Sequence, residues 1–214
     1  MQITADMVRH LRERSGAGIM ECKTALSEAE GDPDQALQIL RKRGLSGVAK
    51  RAARRTSEGT VGSYIHPGGR VGVILEVNCE TDFVARTPEF QELVRNLAMH
   101  IAASQPRFVG RGEVPEAVLA SEREIAMAQA RSSGRPEVAI PKIVDGKIAK
   151  FFQESCLLEQ PYVRDPNQMV SDYLASVMTK TGENIRVRRF ARFALGEDLS
   201  EEPQRPSEPE GNPN

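Results

Sequence analysis

The histidines and cysteines are the residues of this sequence best suited to chemistry, and their spacing supports neither a catalytic nor a metal site. They are His10, His66 and His100, and Cys22, Cys79 and Cys156. The histidines fall on three different predicted elements, and none belongs to a Ser-His-Asp or Cys-His pattern. The cysteines are far apart and form no CxxC pair, which favours buried free thiols over disulfides or a zinc site. The sequence also lacks the HExxH, DxDxDG, GxxxxGK[ST] and GxGxxG spacings. We therefore expect no enzyme activity, no cofactor, no metal and no direct nucleotide binding.

A different feature lies in residues 78–87, NCETDFVART, where an aspartate and an aromatic residue stand together in a short connector. The preceding run predicts a strand, and a helix capped by Thr87 follows. Because the residue before a proline disfavours helical dihedrals, we expect Asp82 and Phe83 to lie in a separate bend. Two interpretations of Phe83 stay open. It extends the apolar stripe of Phe90, seven residues on, or it is a surface aromatic residue that anchors a partner.

The elements around this connector predict an α+β fold. Alternating runs at Thr60–His66, Val71–Cys79 and Asn184–Leu195 predict a three-stranded antiparallel sheet, with a Pro-Gly-Gly turn joining the first two. The helix after the connector has one apolar stripe, formed by Phe90, Leu93, Val94, Leu97, Ala98 and Ile101. We expect this stripe to pack with the sheet in a core domain spanning residues 59–196.

The first 45 residues predict a separate unit of three short helices. Thr4 can cap the first helix, and Asp32 followed by Pro33 begins the third, which Gly44 should end. Units this small have a marginal core and no room for a cleft, so a docking role is expected. The basic, alanine-rich residues 46–58 predict a helical linker.

Three further helical patterns follow in the second half of the chain. Residues 115–132 predict a charged helix that projects outward or pairs with another helix. Residues 136–158 predict two helices broken near Asp145-Gly146. Asp165-Pro166 is expected to open the last helix, which should end before Gly182.

Charge and composition exclude several classes of protein. The chain has 214 residues and a net charge of −1, but six acidic residues and one arginine lie in residues 197–214. This proline-rich acidic tail is expected to be disordered. The remainder is only mildly basic, unlike most nucleic-acid-binding domains. No apolar run approaches the length of a membrane span, and the first residues do not form a signal peptide pattern, so we expect a cytoplasmic protein.

Three segments of the sequence closely resemble the elongation factor Ts family of bacterial and organellar translation. They are LRERSGAGIMECKTAL at 11–26, EGTVGSYIHPGGRVGVILEVNCETDFVARTPEF at 58–90 and TGENIRVRRF at 181–190. The resemblance runs in order from about residue 3 to 195. It implies a guanine-nucleotide exchange factor for elongation factor Tu, with an N-terminal domain of the ubiquitin-associated type. Since the chain has room for one core subdomain only, the resemblance is to short members that act as homodimers.

The resemblance also implies which residues contact the partner. The Asp-Phe pair of the connector would enter the G domain of elongation factor Tu, with Phe83 as a wedge and Asp82 beside it. This site comprises Thr81, Asp82, Phe83 and Val84, which would disturb the magnesium ion and phosphates of bound GDP. The N-terminal domain would grip a helix of the same G domain through Arg12, Gly18, Ile19 and Met20.

Two other functions stay open on the sequence alone. A ubiquitin-associated-type adaptor would bind a protein through residues 1–45 and leave the connector without a role. An RNA-binding module would use the basic residues between Lys50 and Arg55 together with IRVRRFARF in the last strand, where arginines and aromatics alternate. We favour a strand with a solvated basic face for that last segment, and therefore expect no specific nucleic acid as a partner.

Overall fold

The computed structural model describes residues 3–15, 17–134 and 136–197. These residues form eight α-helices and five β-strands, which confirms an α+β fold. The elements are α1 (Ala5–Ser15), α2 (Ile19–Glu28), α3 (Pro33–Arg51), β1 (Glu58–Ile65), β2 (Val71–Cys79), α4 (Asp82–Ala85), α5 (Pro88–Ser104), α6 (Glu116–Ser132), α7 (Ile140–Ser155), β3 (Pro161–Tyr162), β4 (Asp165–Met169), α8 (Val170–Thr181) and β5 (Arg186–Ala194). Apart from Glu197, the expected disordered tail lies outside the described residues.

The central element is the antiparallel sheet β1-β2-β5, as predicted. One face of β2 is fully apolar, and its side chains alternate with residues of the opposite face. Val73, Leu75 and Val77 are at most 1% exposed. The predicted stripe of α5 is buried against this face at every position. Thr87 caps α5 as expected, accepting a hydrogen bond from the backbone N–H of Phe90 at 3.3 Å.

The contact between β1 and α5 depends on a glycine. A Cβ atom at Gly62 would lie 2.2 Å from Cγ1 of Val94 in α5. Real Cβ atoms do not approach another carbon so closely. Val94 is itself part of the packed core and has little room to move aside. The absence of a side chain at Gly62 therefore lets the first strand lie directly on the helix that follows the connector.

The N-terminal helices α1, α2 and α3 surround a small apolar cluster of their own. Asp32 caps α3 as predicted, accepting from the backbone N–H groups of Asp34 and Gln35. The expectation that Gly44 ends this helix is wrong, since α3 continues to Arg51. Val48 packs against the core formed by the sheet, α5 and α8, which we call the main core. This contact offsets the roughly 1 kcal/mol that a glycine costs inside a helix. The predicted domain boundary at residue 45 stays a prediction.

Helices α6 and α7 form an antiparallel pair with a third apolar cluster. The predicted break near Asp145-Gly146 is wrong, because α7 is continuous from Ile140 to Ser155. Its buried apolar residues recur every four positions, at Ile140, Val144, Ile148 and Phe152. Gly146 lies on the exposed face and interrupts none of these contacts. Of the two arrangements left open for α6, pairing with another helix is the one observed, and its partner is α7.

The expected helix start at Asp165-Pro166 is also wrong, because these residues begin strand β4. Proline is tolerated there because β4 pairs only with the two-residue strand β3. The helix begins five residues later at Val170, and ends before Gly182 as predicted.

A buried polar network holds this small β-hairpin against α5. His100 is fully buried, and its Nδ1 accepts from the backbone N–H of Val163 at 3.2 Å. The Gln160 amide nitrogen donates to two backbone carbonyls, so its Oε1 accepts from His100 Nε2 at 2.9 Å. Burial lowers the pKa of His100, and these contacts fix one neutral tautomer. His100 is therefore a structural residue whose two ring nitrogens are both hydrogen-bonded.

Candidate functional site

Phe83 is the most distinctive residue of the connector, because it is 79% exposed. Of the two interpretations left open, the core position is thereby excluded. Asp82 to Ala85 form α4, a helix of a single turn that is separate from α5, as the Thr87-Pro88 start of α5 predicted. Val84 and Ala85 point the other way and pack on the main core. The structure thus fixes the base of the turn and leaves its aromatic residue in solvent.

Hydrogen bonds close α4 at both ends. The hydroxyl oxygen of Thr81 accepts from the backbone N–H of Val84 at 3.4 Å, which makes Thr81 the N-cap. The hydroxyl of Thr87 donates to the backbone carbonyl of Val84 at 2.9 Å. The amide of Gln91 in α5 donates to the carbonyl of Ala85 at 2.6 Å. The turn is therefore tied to the helix behind it as well as capped in front.

Asp82 lies beside Phe83 at the start of α4. Its carboxylate accepts from the guanidinium of Arg86, one turn along the chain, at 2.8 Å. The side chains of Arg86 and Asp82 are 79% and 46% exposed. An ion pair this exposed contributes about 0.5 kcal/mol at most, so a partner can replace either contact at little cost. The geometry leaves Asp82 free to interact with groups of a docked protein.

The turn between α8 and β5 supports the connector from the other side. The carboxylate of Glu183 accepts from the backbone N–H groups of Glu80 and Thr81, each at 3.1 Å. It also accepts from the hydroxyl of Thr81 at 2.6 Å. In return, Glu80 accepts from the backbone N–H of Asn184 at 2.6 Å. The connector and the α8–β5 turn lie about a hundred residues apart in the sequence. Each therefore uses a carboxylate to accept a hydrogen bond from a backbone N–H of the other.

Asn184 extends this arrangement to the end of the N-terminal helices. Its buried amide donates to the carbonyl oxygens of Ala52 and Arg54, just after α3, at 3.4 and 2.8 Å. Arg54 also pairs with Glu80 at 3.3 Å. The connector, the α8–β5 turn and the end of α3 thus meet at one point.

Cys79 closes the base of the connector from within the core. Its thiol donates to the backbone carbonyl of Thr81 at 3.1 Å. Burial, and then the negative charge of Glu183, raise the pKa of this thiol to about 11. Burial likewise raises the pKa of Cys156 to about 11. All three cysteines are buried and free, as expected, and the raised pKa values of Cys79 and Cys156 favour the protonated thiol over a nucleophilic thiolate.

The residues expected to bind through the N-terminal helices form a second exposed group. Ile19 and Met20, in the first turn of α2, are 56% and 69% exposed, and Gly18 precedes them in extended conformation. Arg12 lies exposed in the last turn of α1. These two neighbouring apolar side chains form a small exposed patch that a protein partner could cover. The structure brings Thr81 to Val84 together on one turn, while this second group lies on a different unit.

The outer face of the sheet carries a third exposed apolar set. Opposed residues of neighbouring strands bring Ile65, Gly72 and Phe193 into one row and Ser63, Ile74 and Ala191 into the next. Ile65, Ile74 and Phe193 are 65%, 50% and 57% exposed. We call Ile65, Ile74, Ala191 and Phe193 the open sheet face.

The basic residues of β5 are largely engaged within the chain. Arg189 pairs with Glu76 at 2.8 Å, and Arg188 lies 4.0 Å from the same carboxylate. Hydrogen bonding from Asn78, followed by these arginines, lowers the pKa of Glu76. Arg192 pairs with Glu197. The exposed face of β5 is therefore basic only in part, since Ala191 and Phe193 share it, and the pairing of its arginines with carboxylates disfavours an RNA-binding role.

Metal-ligating side chains do not cluster in the described residues. No group of three or more of them gathers anywhere within residues 3–15, 17–134 and 136–197. Within the same ranges, none of the helices has the length and apolarity needed to cross a bilayer.

Sequence reasoning identified the residues at the tip of the connector but missed those that hold it. No local pattern in the sequence points to Glu183, Asn184 or Gln91. Each forms hydrogen bonds to a distant segment or to a backbone group, and such contacts leave no pattern in a short window. In the sequence, Glu183 and Asn184 stand out only as part of the TGEN motif.

Comparisons with known proteins identify the relatives of this chain. The family model described as Elongation factor TS matches residues 34–197. The chain is 53% identical over 198 residues to elongation factor Ts of Carboxydothermus hydrogenoformans, covering 92% of this chain and 91% of that protein. It is 54% identical to elongation factor Ts of Moorella thermoacetica, over 92% and 97% of the two chains. Elongation factor Ts of Anaeromyxobacter sp. strain K is 56% identical, over 92% and 90%.

Proposed function

The chain belongs to the elongation factor Ts family and is a guanine-nucleotide exchange factor of translation elongation, acting on elongation factor Tu, and we propose that its α4 turn performs the exchange. In this proposal Thr81, Asp82, Phe83 and Val84 form the contact that disturbs the magnesium and phosphate site of the partner. The observation that carries the proposal is the exposed Phe83 on a turn closed by hydrogen bonds at both ends.

A rigid turn is what such a wedge requires. An exposed aromatic side chain offers a large apolar area with only two torsions to order. If the turn were soft, the energy of inserting Phe83 would deform the factor instead of the partner. Because Thr81 and Thr87 close the turn, insertion instead displaces groups of the partner that hold the magnesium ion. Mg²⁺ demands near-ideal octahedral geometry, so a small displacement weakens its hold and that of the GDP phosphates.

The thermodynamics requires no bond chemistry of the factor. It accelerates release by binding the nucleotide-poor state of elongation factor Tu more tightly than the GDP state. By linkage, GDP weakens the binding of the factor by the same ratio. The contribution of Asp82 is to accept from partner groups near the metal, at the expense of its weak contact with Arg86.

The N-terminal helices supply affinity in this proposal. We assign them to the ubiquitin-associated type on the strength of their three-helix cluster, and place the docking contact at Arg12, Gly18, Ile19 and Met20. A contact that is equally good before and after GDP release tightens binding without changing the maximal rate. The two exposed groups therefore have separate kinetic roles.

The test measures release of labelled GDP from elongation factor Tu over a range of factor concentrations. The native chain should accelerate release. The variant Ile19→Ser/Met20→Ser should raise the concentration for half-maximal release with little change in the maximal rate. Val138→Ser, a change at a 94% exposed valine away from both sites, serves as control. A native chain that leaves GDP release unchanged contradicts the exchange assignment. A fall in the maximal rate with Ile19→Ser/Met20→Ser contradicts the separation of roles.

We further propose that two copies of the chain associate through the open sheet face. Its apolar side chains are exposed, and the helices occupy the opposite side of β2. Two such faces can pack as the layers of a β-sandwich, about 10 Å apart. Ile74 lies in the central strand, so Ile74→Asp should convert the dimer into a monomer in sedimentation equilibrium. A native chain that sediments as a monomer at micromolar concentration refutes this assembly.

The proposed location of the active protein is the cytoplasm, where translation takes place.

A further inference from the structure

We propose that Glu183 is a positioning residue for nucleotide exchange, which sets the orientation of Phe83 through the hydroxyl of Thr81. This inference rests on the proposed function of the α4 turn. Glu183 lies in the turn between α8 and β5, about a hundred residues from the connector, and does not belong to the surface proposed to touch the partner.

The three hydrogen bonds accepted by Glu183 all come from the two residues that lead into α4. Oε2 accepts from the backbone N–H groups of Glu80 and Thr81, and Oε1 accepts from the hydroxyl of Thr81. A carboxylate is the only side-chain group that can accept from all three donors without offering a competing proton. Glu183 therefore fixes the path of the backbone as it leaves β2.

The hydroxyl of Thr81 transmits this constraint to α4. Its single proton is directed at Glu183, at 2.6 Å, so its lone pairs are left to accept from the N–H of Val84. Without Glu183 the hydroxyl can rotate, and its proton can turn toward that N–H. The cap of a four-residue helix is a large part of its hydrogen bonding, because so short a helix has few internal bonds. Loss of the carboxylate should thus loosen the turn on which Phe83 stands.

The contacts on the far side keep Glu183 itself in place. Its neighbour Asn184 is buried and donates to Glu80, Ala52 and Arg54. The turn is therefore anchored independently of the Glu183 carboxylate. A substitution at Glu183 should release the connector and leave the α8–β5 corner folded.

The experiment is a double-mutant cycle on the full chain, read as the maximal rate of labelled GDP release from elongation factor Tu. Glu183→Ala should lower this rate about tenfold, the scale of coupling within one hydrogen-bonded network. Glu183→Gln should lower it less, since one amide oxygen can still accept from the two backbone N–H groups. In a Phe83→Ala background, Glu183→Ala should have no further effect. Asp172→Ala is the matched control, because it removes a capping carboxylate from the opposite end of α8.

Hydrogen exchange of the Val84 amide in the free chain provides the structural readout. It should accelerate in Glu183→Ala and remain native in Asp172→Ala. The inference would be overturned if Glu183→Ala slowed GDP release equally in the native and the Phe83→Ala backgrounds, or if a folded Glu183→Ala chain kept the native rate. If Glu183→Ala fails to fold, Glu183→Gln decides in the same assays. A native rate for Phe83→Ala alone would instead refute the proposed function of the turn.

Discussion

Replacement of Phe83 by alanine is the most informative perturbation of the exchange site, because the structure separates its effect on function from its effect on stability. The side chain is 79% exposed in the free chain and makes little contribution to the core. We expect the free energy of unfolding of Phe83→Ala to stay within about 0.5 kcal/mol of the native value. Any large loss of exchange activity must then arise in the complex.

The size of that loss follows from the area available for burial. A phenylalanine side chain offers about 200 Å², of which 79% is accessible before binding. Allowing for the area that alanine retains, the substitution removes about 110 Å² of apolar contact, or about 3 kcal/mol at the usual coefficient. If the contact is complete only in the state that releases GDP, the maximal rate falls by up to about a hundredfold. Partial insertion would reduce this to about tenfold.

The assay is stopped-flow release of labelled GDP from elongation factor Tu at saturating factor. Phe83→Leu should lie between the native chain and Phe83→Ala, because it keeps most of the apolar volume. Urea unfolding of each variant provides the stability control. A Phe83→Ala chain that is fully folded and releases GDP at the native rate would refute the wedge argument. The N-terminal contact would then be the site to examine.

Three further predictions concern the scaffold. The folded chain holds His100 neutral because burial lowers its pKa. Below pH 6.5, the usual pKa of histidine, the unfolded chain therefore binds one more proton than the folded chain. The free energy of unfolding should fall by at most about 1.4 kcal/mol for each pH unit of acidification. Urea unfolding should give a lower free energy of unfolding at pH 5.5 than at pH 7.5 for the native chain and for His10→Gln. His100→Gln should lack this contribution. Gly62→Ala should cost about 1–3 kcal/mol through its clash with α5. Gly146→Ala, with open space around its Cβ, should instead stabilise the chain in the same denaturation assay. Cys79, with a pKa of about 11, should resist iodoacetamide at pH 8 until the chain is unfolded; rapid labelling of the folded chain would show that the connector opens.

The sheet and the helix behind the connector could be predicted because their signals are local and agree with one another. Strict alternation in β2 and the 3.6-residue stripe of α5 each identify one buried face, and both faces are buried as predicted. Of the three wrong predictions, the helix start at Asp165-Pro166 failed because these residues begin strand β4, and the other two arose at glycines whose local preference is overridden by packing. Gly44 and Gly146 carry helix-ending signals, yet the helices continue because apolar residues beyond them join buried clusters.

The candidate site was predictable only in part, for a related reason. The type and spacing of Asp82 and Phe83 could not decide between a core position and a surface position. Exposure of Phe83 depends on the separation of α4 from α5, for which the Thr87-Pro88 pair was the only local signal. The proposed role of Glu183 depends on the antiparallel pairing of β2 with β5, which brings residues 80 and 183 together. No pattern within a short window contains that information.

In the proposed mechanism, the same pairing makes nucleotide exchange a property of the folded chain and not of the connector sequence alone. An exchange factor does work on its partner only if its contact surface resists deformation more than the nucleotide site does. A helix of four residues is not stable by itself, because its few internal hydrogen bonds stabilise it by less than the free-energy cost of nucleation. The α4 turn is ordered by contacts from the core, from α5 and from the α8–β5 turn. A peptide of residues 78–87 lacks all three contacts, and would have to lose its conformational freedom at the moment of binding. In the proposed mechanism α4 is therefore already ordered before binding, and the full apolar contact of Phe83 favours the state of the partner that releases GDP.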